Sequence, residues 1–600
     1  MGRARGAAGT THGAGPGVNA MRAFWHATLG LALALAVLCC TAQTVSKELR
    51  PNIVLVVVDD WGFTDPGAFG GEIATPHIDA LAQRGVRFAN FHVAASCSPT
   101  RAMLLTGLEH HRAGIGNLRE TTPRSHLGRP GYLGSLAPGV VSVATRLRDA
   151  GYRTYISGKW NLGSEPHNLP PRHGFARSLV QGDTGSDNFD PMQRYLPHSA
   201  TVQWFEDGQP ARMPAAFYSS EYFTDRMLQF LQADADSAKP FFAVLAFQAN
   251  HVPLQAPQAY LQRQEGKYLQ GWEALRRLRT ERAIALGLLP ADTVIGESAA
   301  VPDWDRLGAD EQRAQARRMQ AYAAMAEAMD HELGRVVAHL ESRGELQRTV
   351  FVFLSDNGPE GSDYREARPW LATQYSMDPS RLGGPGTYAI PGPGWASASA
   401  GPFAGYKFYA GEGGLRVPLV VAGVPGTQAG AIHHGFTHVL DVVPTLLDLA
   451  GLPPDPALPG RSLLPALREP AVSLRGADEG QGYELSGNSA YYQGRWKLVR
   501  NLPPGGDGQW QLYDLQDDPG ETRDLKAAHP EVSDTLRQRY EAWAQAQGVL
   551  PMPEGYSPQR QVLINTLFNY WLPHYGPAAA AAGLGLAAAF VLWRRRRRLP

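Results

Sequence analysis

Short apolar runs rich in β-branched residues recur along the chain and predict strands that are buried on both faces. They occupy residues 52–58, 152–157, 241–247, 350–354 and 417–422. Helical patterns lie between these runs, and the longest covers residues 311–340, where Met and Leu recur at helical spacing. The alternation of strands and helices predicts an α/β fold with a large, mostly parallel sheet that is sandwiched by helices.

The pattern changes near residue 475. Apolar-rich stretches at residues 491–500 and 510–515 predict short strands, and a helix is predicted at residues 531–547. These elements indicate a smaller C-terminal α+β subdomain. The predicted organisation is a catalytic domain, that subdomain and a linker, at residues 50–474, 475–550 and 551–575 respectively.

Residues 383–414 are rich in Gly and Pro and contain Trp395, Tyr406 and Lys407. Long irregular loops inside compact domains are usually functional or disordered. We therefore expect an irregular loop here. Together with an inserted segment at residues 264–308, it is expected to determine which substrate the protein accepts.

Both ends of the chain have the pattern of sorting segments. Residues 1–42 contain Arg22, an apolar run at residues 29–38 and small residues at 40–42, which is typical of a signal peptide. Residues 576–593 are apolar, long enough at about 27 Å to span a bilayer, and five arginines follow them. The sequence predicts export to the periplasmic or extracytoplasmic face, with a transmembrane segment or a sorting tail that is cut after export.

The charge balance gives no support for nucleic-acid binding, and the cysteine content draws attention to one residue. Lysine plus arginine and aspartate plus glutamate each total 56, so no basic excess points to a nucleic-acid partner. The chain has three cysteines, and Cys39 and Cys40 are expected to leave with the signal peptide. Cys97 then remains alone, and an unpaired cysteine in an oxidising compartment is either a liability or a reactive site.

Cys97 begins the motif Cys97-Ser98-Pro99-Thr100-Arg101. Pro99 suits the first turn of a helix, which puts Cys97 at the positive end of the helix dipole, where an anion binds. The pattern resembles the one that directs conversion of a cysteine to formylglycine. Two alternatives to a formylglycine precursor exist for Cys97. It could be a thiolate nucleophile with a lowered pKa, or a buried cysteine without a catalytic role.

Polar residues stand at or just past the carboxyl ends of the predicted strands. They are Asp59, Asp60, Lys159, His251, Asp356 and Asn357. Ligands of parallel sheets bind beyond these ends, so the side chains are expected to converge. The three aspartates and the asparagine supply oxygen donors, which hard cations such as Ca²⁺ prefer, and no His/Cys cluster has zinc spacing.

In number and order these motifs resemble those of the sulfatases of the alkaline-phosphatase-like superfamily, especially the bacterial arylsulfatases. The resemblance extends over about residues 51–547. It rests on residues 52–60, 97–107, 158–160, 251–255, 355–358, 412–418 and 513–521. Each segment alone is a weak signal, and their joint occurrence is a strong one.

The resemblance implies a set of roles. Cys97 would become formylglycine through a formylglycine-generating enzyme, and Arg101 would hold it. Lys159 and Lys407 would neutralise the sulfate and the leaving group, and His251 would assist the leaving alkoxide. A hydrated aldehyde has two hydroxyls, so one can attack sulfur while deprotonation of the other releases sulfate.

The resemblance also implies a bound metal ion. The expected ion is Ca²⁺, with Mg²⁺ or Mn²⁺ as the alternative. Its implied ligands are the formylglycine made from Cys97 and the side chains of Asp59, Asp60, Asp356 and Asn357. The expected substrate is a small-molecule sulfate ester, whose sulfate would complete the ligand shell.

One position departs from the family pattern. Sulfatases usually have Gly-Lys-Trp-His-Leu-Gly, and here Asn161 replaces the histidine. That histidine contacts the formylglycine and is a candidate base for sulfate release. Asn161 can keep a substrate-binding hydrogen bond but cannot take a proton. We therefore expect a metal-ligand carboxylate or water to act as the base, at reduced turnover.

These observations together predict a sulfuric ester hydrolase that cleaves aryl or related sulfate monoesters. A phosphonate or phosphate-ester hydrolase of the same superfamily is the alternative closest in chemistry. An inactive binding protein that retains the fold is the alternative of another class, and Asn161 is its only support.

Overall fold

The computed structural model describes residues 9–10, 50–197, 202–298, 300–363 and 367–596. The chain divides into two units, residues 1–50 and residues 51–600. The predicted signal peptide lies almost entirely outside the described residues, so it stays a prediction. The account that follows concerns the second unit.

Sixteen strands are present among the described residues. In chain order they are β1 (Asn52–Val58), β2 (Gly85–Phe88), β3 (Phe91–His92), β4 (Arg153–Lys159), β5 (Arg177–Gln181), β6 (Trp204–Glu206), β7 (Gln209–Pro210), β8 (Phe241–Ala246), β9 (Thr349–Ser355), β10 (Leu419–Ala422), β11 (Ile432–His433), β12 (Thr437–His438), β13 (Gly480–Leu485), β14 (Asn488–Gln493), β15 (Trp496–Arg500) and β16 (Gln511–Asp514).

Fifteen α-helices accompany them in the described part of the chain. They are α1 (Pro76–Arg84), α2 (Cys97–Thr106), α3 (Val143–Asp149), α4 (Ser219–Ala233), α5 (Gln258–Arg263), α6 (Gly271–Ala285), α7 (Ala309–Ser342), α8 (Arg368–Gln374), α9 (Gly392–Ala400), α10 (Glu412–Leu415), α11 (Val442–Leu449), α12 (Leu464–Arg468), α13 (Pro530–Gln547), α14 (Pro558–Thr566) and α15 (Leu572–Arg596).

A ten-stranded sheet with the order β11-β2-β10-β9-β1-β8-β4-β5-β6-β7 forms the centre of the fold. Its middle strands β9, β1, β8, β4 and β5 are parallel to one another. Val57 near the end of β1 pairs with Ala246 of β8 and Leu354 of β9. Because these strands end level with one another, the residues that follow them lie along one edge of the sheet.

Strand β1 explains why the sheet is covered on both sides. Its side chains alternate, so Val54, Val56 and Val58 belong to one buried cluster, which includes α7. Ile53, Leu55 and Val57 belong to the other, which includes α2 and α11. A strand with apolar residues on both faces can bury them only between two layers, and the predicted α/β sandwich is confirmed.

Two local predictions differ from the structure, at residues 491–500 and 383–414. Strand β10 lies within the predicted run at residues 417–422 and pairs antiparallel with β9 and β2, in a sheet whose middle strands are parallel. The predicted strand at residues 491–500 is the end of β14, a turn at Gly494 and then β15. An apolar run cannot by itself reveal a turn of two residues, because the alternation resumes after it.

The predicted loop at residues 383–414 was wrong for its central part, which forms helix α9. Pro393 lies in the first turn of α9, where a proline is tolerated, and the alternating Ala and Ser residues that follow permit a close approach. Trp395 is fully buried against Trp272 and Trp304. The Gly- and Pro-rich start of this segment obscured a buried helix.

The C-terminal part carries its own antiparallel sheet, in the order β13-β14-β15-β16. Helix α13 contacts β13, β14 and β15, and Leu536 and Tyr540 of α13 pack against Leu498 and Leu512. Beyond α13, a helix from Pro558 to Arg594 is long and apolar enough to cross a membrane. It consists of α14, a π-helical turn at Leu567–Trp571 and most of α15.

Candidate active site

The carboxylates of Asp59 and Asp60 mark the centre of the site, directly after β1. Both side chains are fully buried. Asp60 has a left-handed backbone with φ of 62°, a conformation that Asp tolerates better than most residues. Its backbone N–H points to Asp356 Oδ1 at 3.5 Å, and Asp356 follows β9. The predicted convergence at the strand ends is therefore present.

Cys97 lies in the first turn of α2, as its motif predicts, and its side chain is buried. Its Sγ is 3.2 Å from Asp59 Oδ1 and 3.9 Å from Asp60 Oδ1. Burial raises the pKa of the Cys97 thiol well above its usual value, and the carboxylates of Asp356 and Asp59 raise it further. The described side chains therefore favour a thiol and oppose the alternative of a thiolate nucleophile.

Three buried cations pair with these carboxylates. Arg101 Nε donates to Asp356 Oδ2 at 2.8 Å, and Lys159 forms an ion pair with Asp59. Lys407 Nζ is 2.7 Å from Asp60 Oδ1. All the predicted charged residues thus come together, although they are spread over about 350 residues of sequence.

The electrostatics of the site follow from burial and from this pairing. Burial alone would raise the pKa of Asp60, but the Lys407 ammonium and other nearby cations hold it well below its usual value. Burial would lower the pKa of Lys407, yet the Asp60 carboxylate keeps it well above the usual value. Burial, together with the Asp59 carboxylate, raises the pKa of Asp356 to about 6. Asp60 and Lys407 thus stay charged in the interior.

His251 lies past β8 and faces the carboxylates. Its Nδ1 is 2.8 Å from the Val252 carbonyl and donates to it, which fixes the tautomer and leaves Nε2 3.8 Å from Asp60 Oδ2. Burial lowers the pKa of His251 to about 3. The imidazole is therefore neutral in this arrangement, with Nε2 available to a group bound beside Asp60.

The donor set fits a hard divalent cation. Asp59, Asp60, Cys97 and His251 each offer a ligand atom, and these four atoms lie within 4.8 Å of one another. Asn357 Nδ2 donates to Asp60 Oδ1 at 2.7 Å, while its own Oδ1 is buried without a hydrogen-bond partner. A buried amide oxygen without a partner costs free energy unless a ligand completes it. The structure thus brings His251 close to the predicted carboxylates, and the unfilled oxygen of Asn357 supports its place in the predicted ligand set.

Sequence reasoning missed Glu360, which is buried beside Lys407. Its Oε2 is 3.4 Å from Lys407 Nζ, so this ammonium bridges Glu360 and Asp60. Glu360 follows the Asp356-Asn357 pair by only a few residues, in a segment without regular structure. Its proximity to the strand end β9 is the signal that could have identified it.

An apolar cluster adjoins His251. The ring of Tyr195 stands edge-on to the imidazole, with ring centroids 5.5 Å apart. Tyr195 belongs to a buried group that we call the aromatic cluster. Its members are Tyr195, Leu196, Val252, Leu371, Tyr375, Tyr388 and Ile390. This cluster was not predicted, because its members come from four separate loops and helices and have no common pattern.

Asn161 lies two residues after β4 and is half-buried. Its backbone is left-handed, with φ of 57°. Asn, Asp and His are the side-chain-bearing residues most often found in this conformation. The substitution of the usual histidine by asparagine is therefore compatible with an unchanged backbone at this position.

A mostly parallel sheet with buried carboxylates and cations at its strand ends is an arrangement that can bind a metal cation together with an anionic group. The family model described as Sulfatase matches residues 51–452, and a second model, N-sulphoglucosamine sulphohydrolase, C-terminal, matches residues 406–546. Since the first match covers more than half of the chain, this protein belongs to the sulfatase family. It is a sulfuric ester hydrolase, as predicted.

Two relatives and a solved structure illustrate the similarity. An uncharacterised sulfatase of Schizosaccharomyces pombe is 34% identical over 85% of this chain and 96% of its own. An arylsulfatase of Klebsiella aerogenes is 33% identical over 73% of this chain and 94% of its own. The crystal structure of Ps i-CgsB shares the fold, with a TM-score of 0.60 at 22% identity over 87% and 98% of the two chains.

Proposed function

We propose that the protein hydrolyses small aryl or related sulfate monoesters with a formylglycine made from Cys97 and a bound divalent cation, Ca²⁺ in the first instance. The observation that carries this proposal is the charge of the buried site. Its carboxylates are Asp59, Asp60, Asp356 and Glu360. Its cations are Arg101, Lys159 and Lys407.

Four carboxylates and three cations leave one formal negative charge, which a divalent cation converts to one positive charge. A sulfate monoester carries one negative charge, so its binding makes the buried site neutral. A phosphate monoester carries about 1.5 to 2 negative charges at neutral pH and would leave the site charged in a low-dielectric interior. This balance supports sulfate esters over the phosphate-ester alternative.

The chain's own side chains supply binding and proton transfer. The cation would be held by Asp59, Asp60, Asp356 and Asn357, and when bound it would withdraw charge from sulfate oxygens. Lys159 and Lys407 would bind the same oxygens as they gain charge. His251 would face the leaving oxygen with Nε2, because Nδ1 donates to the Val252 carbonyl. Nε2 carries a proton only in the imidazolium form, so donation to the leaving oxygen requires that form of His251.

A single preparation from the native host tests this proposal. Mass spectrometry of the peptide that contains Cys97 should find the thiol replaced by an aldehyde, and the same protein should hydrolyse 4-nitrophenyl sulfate. Hydrolysis of 4-nitrophenyl phosphate at an equal or higher kcat/KM would favour the phosphate-ester alternative. An unmodified thiol at Cys97 would refute the formylglycine mechanism. If neither ester is hydrolysed, the result would favour the binding-protein alternative.

Lys407→Met is expected to lower kcat/KM for sulfate esters by about 10²- to 10³-fold, the usual cost of removing one group that binds a developing negative charge. The same change should strengthen Ca²⁺ binding, because Asp60 and Glu360 lose their shared ammonium. Steady-state kinetics and calcium titration measure the two effects. Lys239→Met, at an exposed position, is the control and should alter neither quantity.

Asn161→His is expected to raise kcat about tenfold or more, because a general base typically contributes more than an amide hydrogen bond. The left-handed backbone of Asn161 admits histidine, so the fold should tolerate the change. Steady-state turnover of 4-nitrophenyl sulfate is the measurement. Asn161→Gln, which keeps the amide but adds no base, should not accelerate turnover. A rate for Asn161→His equal to that of the parent would mean that sulfate release does not limit this enzyme.

The helix from Pro558 to Arg594 is proposed to anchor the protein in a membrane, with the catalytic body on the extracytoplasmic side. Its apolar length and the arginines after residue 593 support this orientation. The alternative is a sorting tail that is cut after export. The mass of the chain recovered from membranes distinguishes a retained anchor from a cut one.

A further inference from the structure

The base of the C-terminal helix is fixed to the catalytic body by buried polar contacts. Asn565 Nδ2 donates to the carbonyls of Glu120 and Thr122 at 2.9 and 3.0 Å. The Arg194 guanidinium donates to the hydroxyl of Tyr570 and lies over its ring, 5.4 Å from the centroid. Both Asn565 and Tyr570 are buried. The helix therefore leaves the body at a defined place and in a defined direction.

That place adjoins the leaving-group side of the active site. Arg194 immediately precedes Tyr195, whose ring meets His251, and the Arg194 carbonyl accepts a hydrogen bond from the Tyr375 hydroxyl at 3.1 Å. Arg194 also lies over the ring of Trp370, which packs against the aromatic cluster. Tyr570 precedes the apolar run at residue 576 by only about 9 Å of helix. The aromatic cluster thus lies between His251 and the start of the membrane segment.

Exposed apolar side chains occur in the segments that contact the helix base or the aromatic cluster. Nine large apolar side chains of the described residues 51–557 are exposed, and four of them come from the segments that meet the helix base or the aromatic cluster. We call these four the apolar rim. They are Met192 at 57%, Leu127 at 41%, Leu133 at 40% and Met377 at 38% exposure. Apolar side chains concentrated beside a membrane helix are typical of an interface with lipid.

Charge and aromatic content agree with such an interface. Arg124 is exposed and lies over the ring of Phe568, 4.6 Å from the centroid, and Arg129 is exposed in the same loop. Phe568 and Trp571 are themselves exposed at the helix base. Arginines attract anionic lipid headgroups, and aromatic rings prefer the boundary between headgroups and acyl chains.

We infer that the apolar rim lies in the membrane interface and that the active site takes sulfate monoesters of apolar alcohols dissolved in that bilayer. This inference rests on the proposed function, which puts the leaving oxygen at His251. The alcohol attached to that oxygen then contacts Tyr195 and the aromatic cluster, on the side of the membrane helix. The aromatic cluster would supply apolar contacts to the alcohol, while the sulfate group binds the buried cations.

The position of the rim can be measured with one label. Cys97 is the free cysteine among the described residues and is buried, and Cys39 and Cys40 are expected to leave with the signal peptide, so a cysteine introduced at Met192 would be the accessible thiol of the exported chain. Full-chain Met192→Cys carrying an environment-sensitive dye, reconstituted in phosphatidylglycerol–phosphatidylethanolamine vesicles, should be quenched by lipids with spin labels near the headgroup. Val294→Cys, at 58% exposure and outside the rim, is the matched control and should not be quenched. Equal quenching at the two positions would overturn the inference.

The substrate class is tested with two esters on the same vesicles. The full-chain protein should hydrolyse a vesicle-borne dodecylphenyl sulfate with a higher kcat/KM than soluble 4-methylphenyl sulfate, whose phenol is an equally good leaving group. The double variant Met192→Glu/Met377→Glu should lower the ratio of the two kcat/KM values about tenfold, because charged side chains leave the lipid interface. Val294→Glu should leave that ratio unchanged.

The outcomes separate this inference from the proposed function. If neither ester is hydrolysed, the proposed function fails and the inference fails with it. If the soluble ester is hydrolysed but the vesicle-borne ester is not preferred, or if the double variant keeps the parental ratio, only the inference fails. Protein recovered from membranes without Tyr570 and the residues after it would also overturn the inference.

Discussion

Cys97→Ser is expected to accept sulfate once and then stop, whereas Cys97→Ala should accept none. Steady-state turnover of both variants should fall at least about 10⁴-fold, which is the usual effect of removing a catalytic nucleophile. A serine hydroxyl in the place of Sγ, 3.2 Å from Asp59 Oδ1, can still displace the phenol from sulfur. The resulting sulfate ester has no second hydroxyl on the same carbon to expel sulfate, so it stays on the protein.

Rapid mixing and intact mass distinguish these outcomes. Cys97→Ser should release up to one phenol per protein molecule and gain the mass of one SO3 unit, and Cys97→Ala should do neither. Thermal unfolding of both variants serves as the control, because a small change in a buried side chain should leave the fold intact. Turnover of Cys97→Ala within tenfold of the parent enzyme would refute Cys97 as the source of the nucleophile.

Strands that are buried on both faces and helices that pack on one face could be predicted from the sequence to within one or two residues. The strand predicted at residues 350–354 is β9, Thr349–Ser355, and the helix predicted at residues 531–547 is α13, Pro530–Gln547. A strand covered on both faces must be apolar throughout, and a helix that packs on one side must repeat every three to four residues. These constraints act on the local sequence, so they are visible there.

Features that arise from contacts between distant segments could not be predicted in this way. The three aspartates, Lys159, His251 and Asn357 converge because each stands at or past a strand end, which is a local signal. The aromatic cluster and helix α9 carry no such signal, because their partners come from elsewhere in the chain. The reversed direction of β10 is of the same kind, since an apolar run has no direction.

A further contact of this kind joins the C-terminal sheet to the catalytic body. Lys497 of β15 is fully buried, and its Nζ is 2.9 Å from Glu412 Oε1 and 2.7 Å from Glu521 Oε1. Glu412 begins α10, five residues after Lys407. Its Oε2 is 2.9 Å from His92 Nε2, and its backbone N–H donates to Glu521 Oε2 at 2.7 Å. One buried ammonium thus holds two carboxylates beside the segment that carries a proposed catalytic lysine.

The two carboxylates respond differently to this arrangement. Burial would raise the pKa of Glu412, but the Lys497 ammonium and His92 hold it well below its usual value. Burial raises the pKa of Glu521 to about 7, since Lys497 offsets the cost of burial only in part and Glu412 adds to it. Glu412 is therefore the ionised partner, and the stability that depends on it is present above its unfolded pKa of 4.5 and is lost as the pH falls below that value.

Lys497→Met is expected to lower the free energy of unfolding by about 3 to 5 kcal/mol at neutral pH, because it leaves two buried carboxylates without their ammonium. In the variant the pKa values of both carboxylates should lie above their unfolded value of 4.5. Protonation then favours the folded state, so the loss should shrink toward pH 5 and grow as the pH rises past 7. Chemical denaturation across this pH range measures the unfolding free energy. Lys526→Met, at an exposed position, is the control and should change it by less than about 0.5 kcal/mol.

Adding Glu521→Gln to Lys497→Met should recover part of the lost unfolding free energy, since one of the two unpaired charges is removed. A double variant no more stable than Lys497→Met would mean that Lys497 acts by packing its stem and not by its charge.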